Sequence, residues 1–390
     1  MKRVYLDHNA TTPLDPRVFE AMRPYMTGAF GNASSPHSYG RLAKQTLEES
    51  REIIARGIGC RPEEMVFTSG GTEADNLAVR GIAYHKGERK GHIITSSIEH
   101  HAVLKTCAAL EKEGFSATYV PVDSQGSVDP HEVDKAIRKD TILISVMFAN
   151  NETGVLQPVA ELGRIAREYG IPFHCDAVQA VGKQEIRVED LNIDLLTLSS
   201  HKIYGPQGIG ALFVRDGIRL APMITGGHHE RGLRAGTENI AAIVGFARAV
   251  KIAADEIDTY RKTVTSLRNK LESGLLHALD GVVIHGAQAE RLPHTSCIGF
   301  ASVEAESILL HLDLRGIAAS SGSACTTGDP EPSHVLTAMG VPPELAQGSI
   351  RISFGRENAE EEVDYTISGL CDAVQHLRGI SSQWTGAGSL

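Results

Sequence analysis

Three shortages shape what this chain can be. It has few cysteines, no surplus of positive charge and no long apolar run. The cysteines number 6 and lie scattered at positions 60, 107, 175, 297, 325 and 371. They contain no C-x-x-C pair, which argues against a disulfide framework or a zinc ribbon and points to a reducing compartment. Lys plus Arg total 38 against 48 Asp plus Glu, a net charge of -10. Such an acidic chain is a poor partner for nucleic acid or an anionic membrane surface. The dense basic stretch KGERKG, at 86–91, reads as a solvated turn. No apolar run could cross a bilayer, and MKRVYLDHNATTPLD lacks the apolar segment of a secretory leader. The expectation is a cytoplasmic protein, in which the sequons at Asn32 and Asn151 carry no meaning.

What is present suits a soluble protein with a large core: 390 residues, 42% apolar and 22% charged. That length suggests two domains. From Glu64 to about Val214, short runs rich in β-branched residues (EMVFTS, HIITSS, SATYVPV, TILISVMFA, IPFHCDA, DLLTLSS) alternate with helical stretches such as TEADNLAVRGIAYHK and VAELGRIAREYG. This alternation predicts an α/β fold with a mainly parallel sheet covered on both faces. A helical run from about Asn239 to Leu279 crosses towards a smaller α+β region. The expected division is 15–255 for a large domain, and 1–14 with 256–390 for a small one. No internal repeat or low-complexity tract interrupts it.

Chemistry in parallel sheets collects at the carboxyl ends of strands. LLTLSSHKIYGPQG places Lys202 there, followed at once by a Gly-Pro turn. Desolvation at a strand end would lower the lysine's pKa and make it nucleophilic enough for a Schiff base with a carbonyl cofactor. A surface lysine is the plainer alternative. Asp176, ending IPFHCD, could hold a protonated pyridine nitrogen, or could simply cap the next helix. FTSGGTEADN gives strand, glycines, Thr72 and helix, so free backbone N–H groups could cradle a phosphate; without Gly-Lys-Ser/Thr it is not a nucleotide loop. These are the needs of pyridoxal 5'-phosphate (PLP). His100 follows a strand and could stack on a planar ring and move protons. The pairs His100/His101 and His228/His229 suggest metal, but no carboxylate or cysteine spacing completes a ligand set. Cys325, in SSGSACTTGDPEPSH, lies on a loop of small residues near 320–332, where a mobile thiol could relay sulfur. Arg351, in SIRISFGR, could grip a carboxylate bidentately or form a surface ion pair.

In this order the motifs resemble one family over essentially the whole chain. VYLDHNATTPLD, FGNASSPHSYGR, FTSGGTEADNLA, EHHAVL, NNETGVLQP, HCDAVQAVGK, SSHKIYGPQGIG, RAGTEN, SSGSACTTG and SIRISFGR are similar to those of cysteine desulfurases. These are fold-type I PLP enzymes of the class V aminotransferase group, with a seven-stranded, mainly parallel sheet. The SSGSAC loop resembles group I, and the short ending resembles the nitrogen-fixation branch.

The resemblance implies that Lys202 carries PLP, Asp176 pairs with the pyridine nitrogen, Gln179 with the ring oxygen, and His100 stacks on the ring with Asn151 beside it. Gly71, Thr72, Ser199 and His201 would hold the phosphate, joined by Thr237 from the partner of a homodimer. Asn32 and Arg351 would hold the carboxylate of L-cysteine. Lys202 would remove the Cα proton, and the Cys325 thiolate would take the sulfur as a persulfide after His100 accepts the substrate thiol proton. Alanine would leave. The sulfur would pass to an iron–sulfur scaffold or another acceptor protein, nitrogenase maturation among the destinations. The one metal role left open is Cys325 as a transient iron–sulfur ligand. Ala33 and Ser200 depart from the family's usual proline and glycine, and Ser200 bears on the backbone approach to the phosphate. The rival readings are another PLP reaction (selenocysteine lyase or an aminotransferase), a non-catalytic scaffold and a metal hydrolase.

Overall fold

The computed structural model describes residues 3–85, 87, 90–321 and 332–380. After a two-residue strand, β1 (Val4–Tyr5), come β2 (Met65–Thr68), β3 (His92–Ser96), β4 (Ser116–Val120), β5 (Thr141–Ser145), β6 (Phe173–Asp176), β7 (Leu195–Ser199) and β8 (Gly210–Val214). These seven pair in the order β2-β8-β7-β6-β5-β3-β4. Every neighbouring pair from β7 to β4 is parallel, whereas β8 runs antiparallel to both β7 and β2. Each predicted β-rich run supplies one strand. β3, β7 and β8 are buried along their whole length, as covering on both faces requires. The period of two is visible in β7: Leu195 enters one apolar core with Val66, Leu77 and Leu212, while Leu196 and Leu198 enter the other with Ile54, Phe213 and Phe246.

The long helix predicted near Asn239–Leu279 spans Ile240–Ala278, and Asn239 caps it by accepting from Ala242 N at 3.2 Å. Its first half buries Ala242, Ile243, Phe246 and Val250 against the large sheet. Its second half presents Val264, Leu267, Leu271 and Leu275, at helical spacing, to a separate core. That core is built on β9 (Val282–His285), β10 (Thr295–Phe300), β11 (Ile317–Ala318), β12 (Ser320–Ser321) and β13 (Ser349–Ser353). β12, β13, β10 and β9 form an antiparallel sheet in that order, and β11 pairs in parallel with β1.

Two reversals leave β2 parallel to β7. The carboxyl ends of β2, β3, β6 and β7 therefore lie along one edge of the large sheet, where side chains can converge. The N-terminal segment crosses this edge. Thr12 donates to His201 O through its backbone N at 3.0 Å and its hydroxyl at 2.9 Å, and Asp15 N reaches Tyr204 O at 3.0 Å. An isolated bridge from Asp7 to Ser353 ties the same segment to β13. Among the described residues no helix is long and apolar enough to cross a membrane.

Candidate active site

A cavity of about 380 Å³ opens at this edge. Lys202, His100, Gly71, Thr72, Asn151, Asp176, Gln179, Ser199, His201 and Arg351 all line it. Asn32 and Thr237 do not. Both are exposed, and the Asn32 amide oxygen accepts from Ser34 N at 2.9 Å in a local turn. Cys325 and its neighbours from 322 to 331 lie outside the described residues.

Lys202 ends a single helical turn, Ser200–Lys202, that follows β7 directly. Its Nζ donates to the backbone carbonyls of Asn9 and, at 2.7 Å, Ala10. The turn beyond it is tightly held. Tyr204 has φ 64, a left-handed conformation unusual for a bulky residue. It is secured by its N donating to Thr12 Oγ1 at 2.7 Å, by its hydroxyl accepting from Arg356 N at 2.8 Å, and by the Arg356 guanidinium 3.7 Å from its ring centroid. Gly205 has no room for a side chain: a Cβ there would lie 2.0 Å from Ser200 Oγ. Ser200 itself lines neither this cavity nor the cleft beside it. Its departure from glycine is thus absorbed behind the site, against Gly205.

Three buried carboxyl groups share this part of the molecule, and their environments separate them. Burial raises Asp176 to about 6, opposed by a hydrogen bond from Val178 N and by the charge of Lys202. Burial and then the charge of Asp176 push Asp75 well above its ordinary value. Glu99 rises to about 8, chiefly by burial. Asp176 therefore ionises before Glu99, which stays neutral beside it at neutral pH, while its charge holds the Asp75 carboxyl up. His174 Nε2 is 3.6 Å from Asp75 Oδ1 but forms no ion pair, because burial drops its pKa to about 3.

The part of the cavity beside the start of the helix after β2 suits an anion. The helix Gly71–Tyr84 starts there, and the nearby Ser199 hydroxyl is buried with no hydrogen-bond partner. An adjoining cleft of about 390 Å³ is lined by Gly70, Gly71, Thr72, Ser199, His201 and others. A Cβ on Gly71 would meet Val178 Cγ2 at 2.8 Å, so glycine keeps this approach open. His201 Nδ1 shares a hydrogen with Thr11 Oγ1 at 3.1 Å.

His100 caps the helix His101–Glu111, its Nδ1 accepting from Ala102 N at 3.1 Å. Burial, then the charges of Lys202, His101 and His334, lower its pKa to about 4. The neutral ring consequently carries its hydrogen on Nε2.

Arg351 is 2% exposed, so the surface ion pair weighed from sequence is not what forms. Its Nη2 pairs with Asp7 Oδ1 at 2.8 Å, its Nη1 donates to Asn151 O at 3.0 Å, and its Nε has no partner.

Several contributors were not singled out from sequence. Asn9 supplies the carbonyl that receives both Lys202 and Gln179, while its side chain joins Asn151 O at 3.0 Å, Thr295 Oγ1 at 2.9 Å and His294 Nε2 at 2.7 Å. Glu152 and His334 complete one wall together with His101, which the sequence offers only as half of a metal-binding pair. The His101 and His334 rings pack against each other tilted by 36°, with centroids 4.8 Å apart, and among the described residues no three His, Cys, Asp or Glu side chains gather as metal ligands. A signal existed for Asn9 and Asp7, because a polar LDHNATT directly after a strand has few local uses.

These residues fit PLP. An amine stands at a strand end, one carboxyl group ionises before its neighbours, and an orphaned hydroxyl lies beside a helix start. Comparison with known proteins agrees. Residues 4–366 match the class-V aminotransferase family model. The chain is 50% identical over 382 residues to the cysteine desulfurase IscS of Dictyoglomus turgidum, covering 98% of this chain and 97% of that protein. A solved NifS-like protein superposes with a TM-score of 0.91 at 40% identity, covering 96% of this chain and 100% of the other. The structure described as SspA in complex with cysteine gives 0.80 at 38% identity, over 90% of this chain and 98% of that one. The chain belongs to the class-V aminotransferase family and, within it, to the cysteine desulfurases, PLP-dependent enzymes of fold type I.

Proposed function

We propose that this protein removes sulfur from L-cysteine, yielding L-alanine and a persulfide on Cys325. The observation that carries this reading is one cavity with Lys202, the first-ionising Asp176 and the orphaned Ser199 hydroxyl at one end and the buried fork of Arg351 at the other. Lys202 would hold PLP through Nζ, Asp176 would face the pyridine nitrogen, Gln179 the ring oxygen, and His100 the ring. Gly71, Thr72, Ser199 and His201 would take the phosphate. When bound, PLP supplies an electron-withdrawing ring that takes up the charge left when the substrate Cα loses its proton.

The protein's own groups do the rest. Arg351 offers its unpartnered Nε to the substrate carboxylate, with Asn151 O and Asp7 steadying the guanidinium. Lys202 Nζ would also serve as the base that takes the proton from the substrate Cα. His100 presents an Nε2–H while it caps its helix. It accepts the substrate thiol proton only if the Ala102 contact is given up. Cys325, as a thiolate, forms the new S–S bond while the substrate C–S bond breaks. The three-carbon remainder, reprotonated, leaves as alanine.

We assign the enzyme to the cytoplasm as a homodimer in which Thr237 reaches the partner's phosphate site. Its sulfur goes to an acceptor protein such as an iron–sulfur scaffold. The exposed positions of Asn32 and Thr237 are compatible with roles completed across a subunit boundary.

The test is release of alanine and sulfide from L-cysteine by PLP-loaded protein with a reductant present. Equal amounts of both are expected. Neither product, from protein that retains PLP, would overturn the reading.

A further inference from the structure

Lys183 closes the motif HCDAVQAVGK and has no part in the chemistry above. It is 3% exposed. Among the described residues no carboxylate lies within ion-pair distance of it, and the one hydrogen bond of its ammonium runs from Nζ to Gln179 Oε1 at 3.3 Å. A buried ammonium without a counter-ion is costly, which makes its retention informative. Burial, then the charge of Lys202, lowers its pKa to about 7.

The bond to Gln179 fixes which way that amide points. Gln179 Nε2 donates one hydrogen to Asn9 O at 3.0 Å, the same carbonyl that accepts from Lys202. Turning the amide over would set its NH2 against the Lys183 ammonium and its oxygen against Asn9 O, so both contacts would become repulsive. Held as it is, the amide keeps its second N–H for a group in the cavity that Gln179 lines.

The charges around Lys183 leave its field uncompensated. On one side stand His8, His201 and His294, each pushed below its ordinary value by burial first and by Lys183 among the further causes. On the other, Lys183 and Lys202 together line a second cavity of about 450 Å³, with Tyr260 and Arg356. The acids of that cavity are Asp255, Glu256 and Glu357, and Glu256 is paired with Arg17 and Arg356.

We propose that Lys183 is a positioning residue for the cofactor: it locks Gln179 with its N–H edge towards the PLP ring oxygen, and it places a second positive charge behind Lys202. This rests on PLP being held at Lys202, and the two ideas fail separately. The measurement is the pH titration of the visible absorbance band of PLP-loaded protein, without cysteine. Lys183→Met should raise the midpoint, by up to about one pH unit to the extent that Lys183 is protonated there, because a neighbouring cation no longer disfavours the protonated form. It should also loosen PLP about tenfold, for loss of one oriented hydrogen bond. Lys183→Gln, neutral but still able to donate to Gln179, should move the midpoint and keep the affinity. The PLP-free Lys183→Met protein should melt no lower than wild type, since an unpaired buried charge has been replaced by an apolar chain. A lower melting temperature with an unmoved midpoint would mark a merely structural lysine and overturn the proposal. Wild-type protein that shows no band with PLP would instead refute the cofactor reading itself.

Discussion

The two walls of the cavity are made in different ways. One grows from the large sheet: Gly71 and Thr72 after β2, His100 after β3, Asp176 at the end of β6, and Ser199 to Lys202 after β7. β3, β6 and β7 are hydrogen-bonded to a neighbour on both sides, and the edge strand β2 is held by β8, so each of these residues inherits its place from the sheet. The other wall is gathered from distant segments: Asn9 near the N-terminus, Asn151 and Glu152 in a turn, His334, and Arg351 on β13. Side-chain bonds across hundreds of residues hold it, such as Asn9 Nδ2 to Thr295 Oγ1 at 2.9 Å and Arg351 Nη2 to Asp7 Oδ1 at 2.8 Å. The sheet wall is rigid and suits a resident cofactor, which must be held to a fraction of an ångström. The gathered wall is where a substrate can be recognised without disturbing that cofactor. If the division is real, mutations on the two walls should separate in their readouts.

The largest effects should come from the residues that make or break bonds. Lys202→Ala should abolish the PLP absorbance band typical of a lysine-bound cofactor and lower turnover by at least about a thousandfold. Cys325→Ala should lower sulfide release by a similar factor yet leave the band unchanged. A Cys325→Ala protein that still desulfurates cysteine would show that the nucleophile lies elsewhere. A band retained by Lys202→Ala would break the assignment of the sheet wall to the cofactor.

The sheet wall was legible in the sequence, and the gathered wall much less so. DLLTLSSHK and IPFHCD read as strands that end in a polar group, and a glycine-proline turn follows the first. Such local signals make Lys202 and Asp176 candidates beside the plainer readings of a surface lysine and a helix cap, and the order of the motifs along the chain decides between them. Arg351 was visible as a candidate, but its burial was not, since burial depends on the N-terminal segment lying across β13. Asn9 acts through its backbone carbonyl as much as its side chain, a role that residue type does not encode. Lys183 was passed over because a lysine after Val-Gly reads as a turn residue, and only the fold reveals that it is enclosed. The relationships among Asp75, Glu99 and Asp176 are likewise tertiary, because they arise from helices and strands brought together around one edge. From its place in the motif, Ser200 bears on the backbone approach to the phosphate; in the fold its side chain lies behind the cavity, packed against the bare Cα of Gly205.

A gentler change should probe the gathered wall. Arg351→Lys keeps a positive charge for Asp7 but loses the planar fork that can grip a carboxylate in two places. The KM for cysteine should rise about tenfold, the equivalent of one charge-assisted hydrogen bond, with the absorbance band and its pH midpoint unmoved. A shifted band would mean that Arg351 also shapes the cofactor end, and the two walls would then not be independent.

The smallest effect expected is on stability, and it sharpens the account of the sheet wall. In the PLP-free protein, Asp176 has a folded pKa of about 6, raised chiefly by burial from an ordinary value of 3.8. A carboxyl group whose pKa is raised by folding binds its proton more tightly in the folded state. Stability is then greatest below the unfolded pKa and falls as pH rises from about 4 through about 6. Above that range the cost is constant. Asp176→Asn removes the ionisation while nearly preserving shape, so the PLP-free variant should be more stable than wild type at pH 8, by about 3 kcal/mol. The advantage should shrink as pH is lowered through 6 and vanish near 4. Asp75 should follow, since part of its raised pKa comes from the charge on Asp176. Melting curves of both PLP-free proteins across this range measure the difference directly. Equal stability at pH 8 would mean that Asp176 is not strained by its burial, and that its charge is already balanced before any cofactor arrives. A clear advantage for asparagine, together with weakened PLP binding, would identify a carboxylate kept at a cost to folding for the sake of the ring it faces.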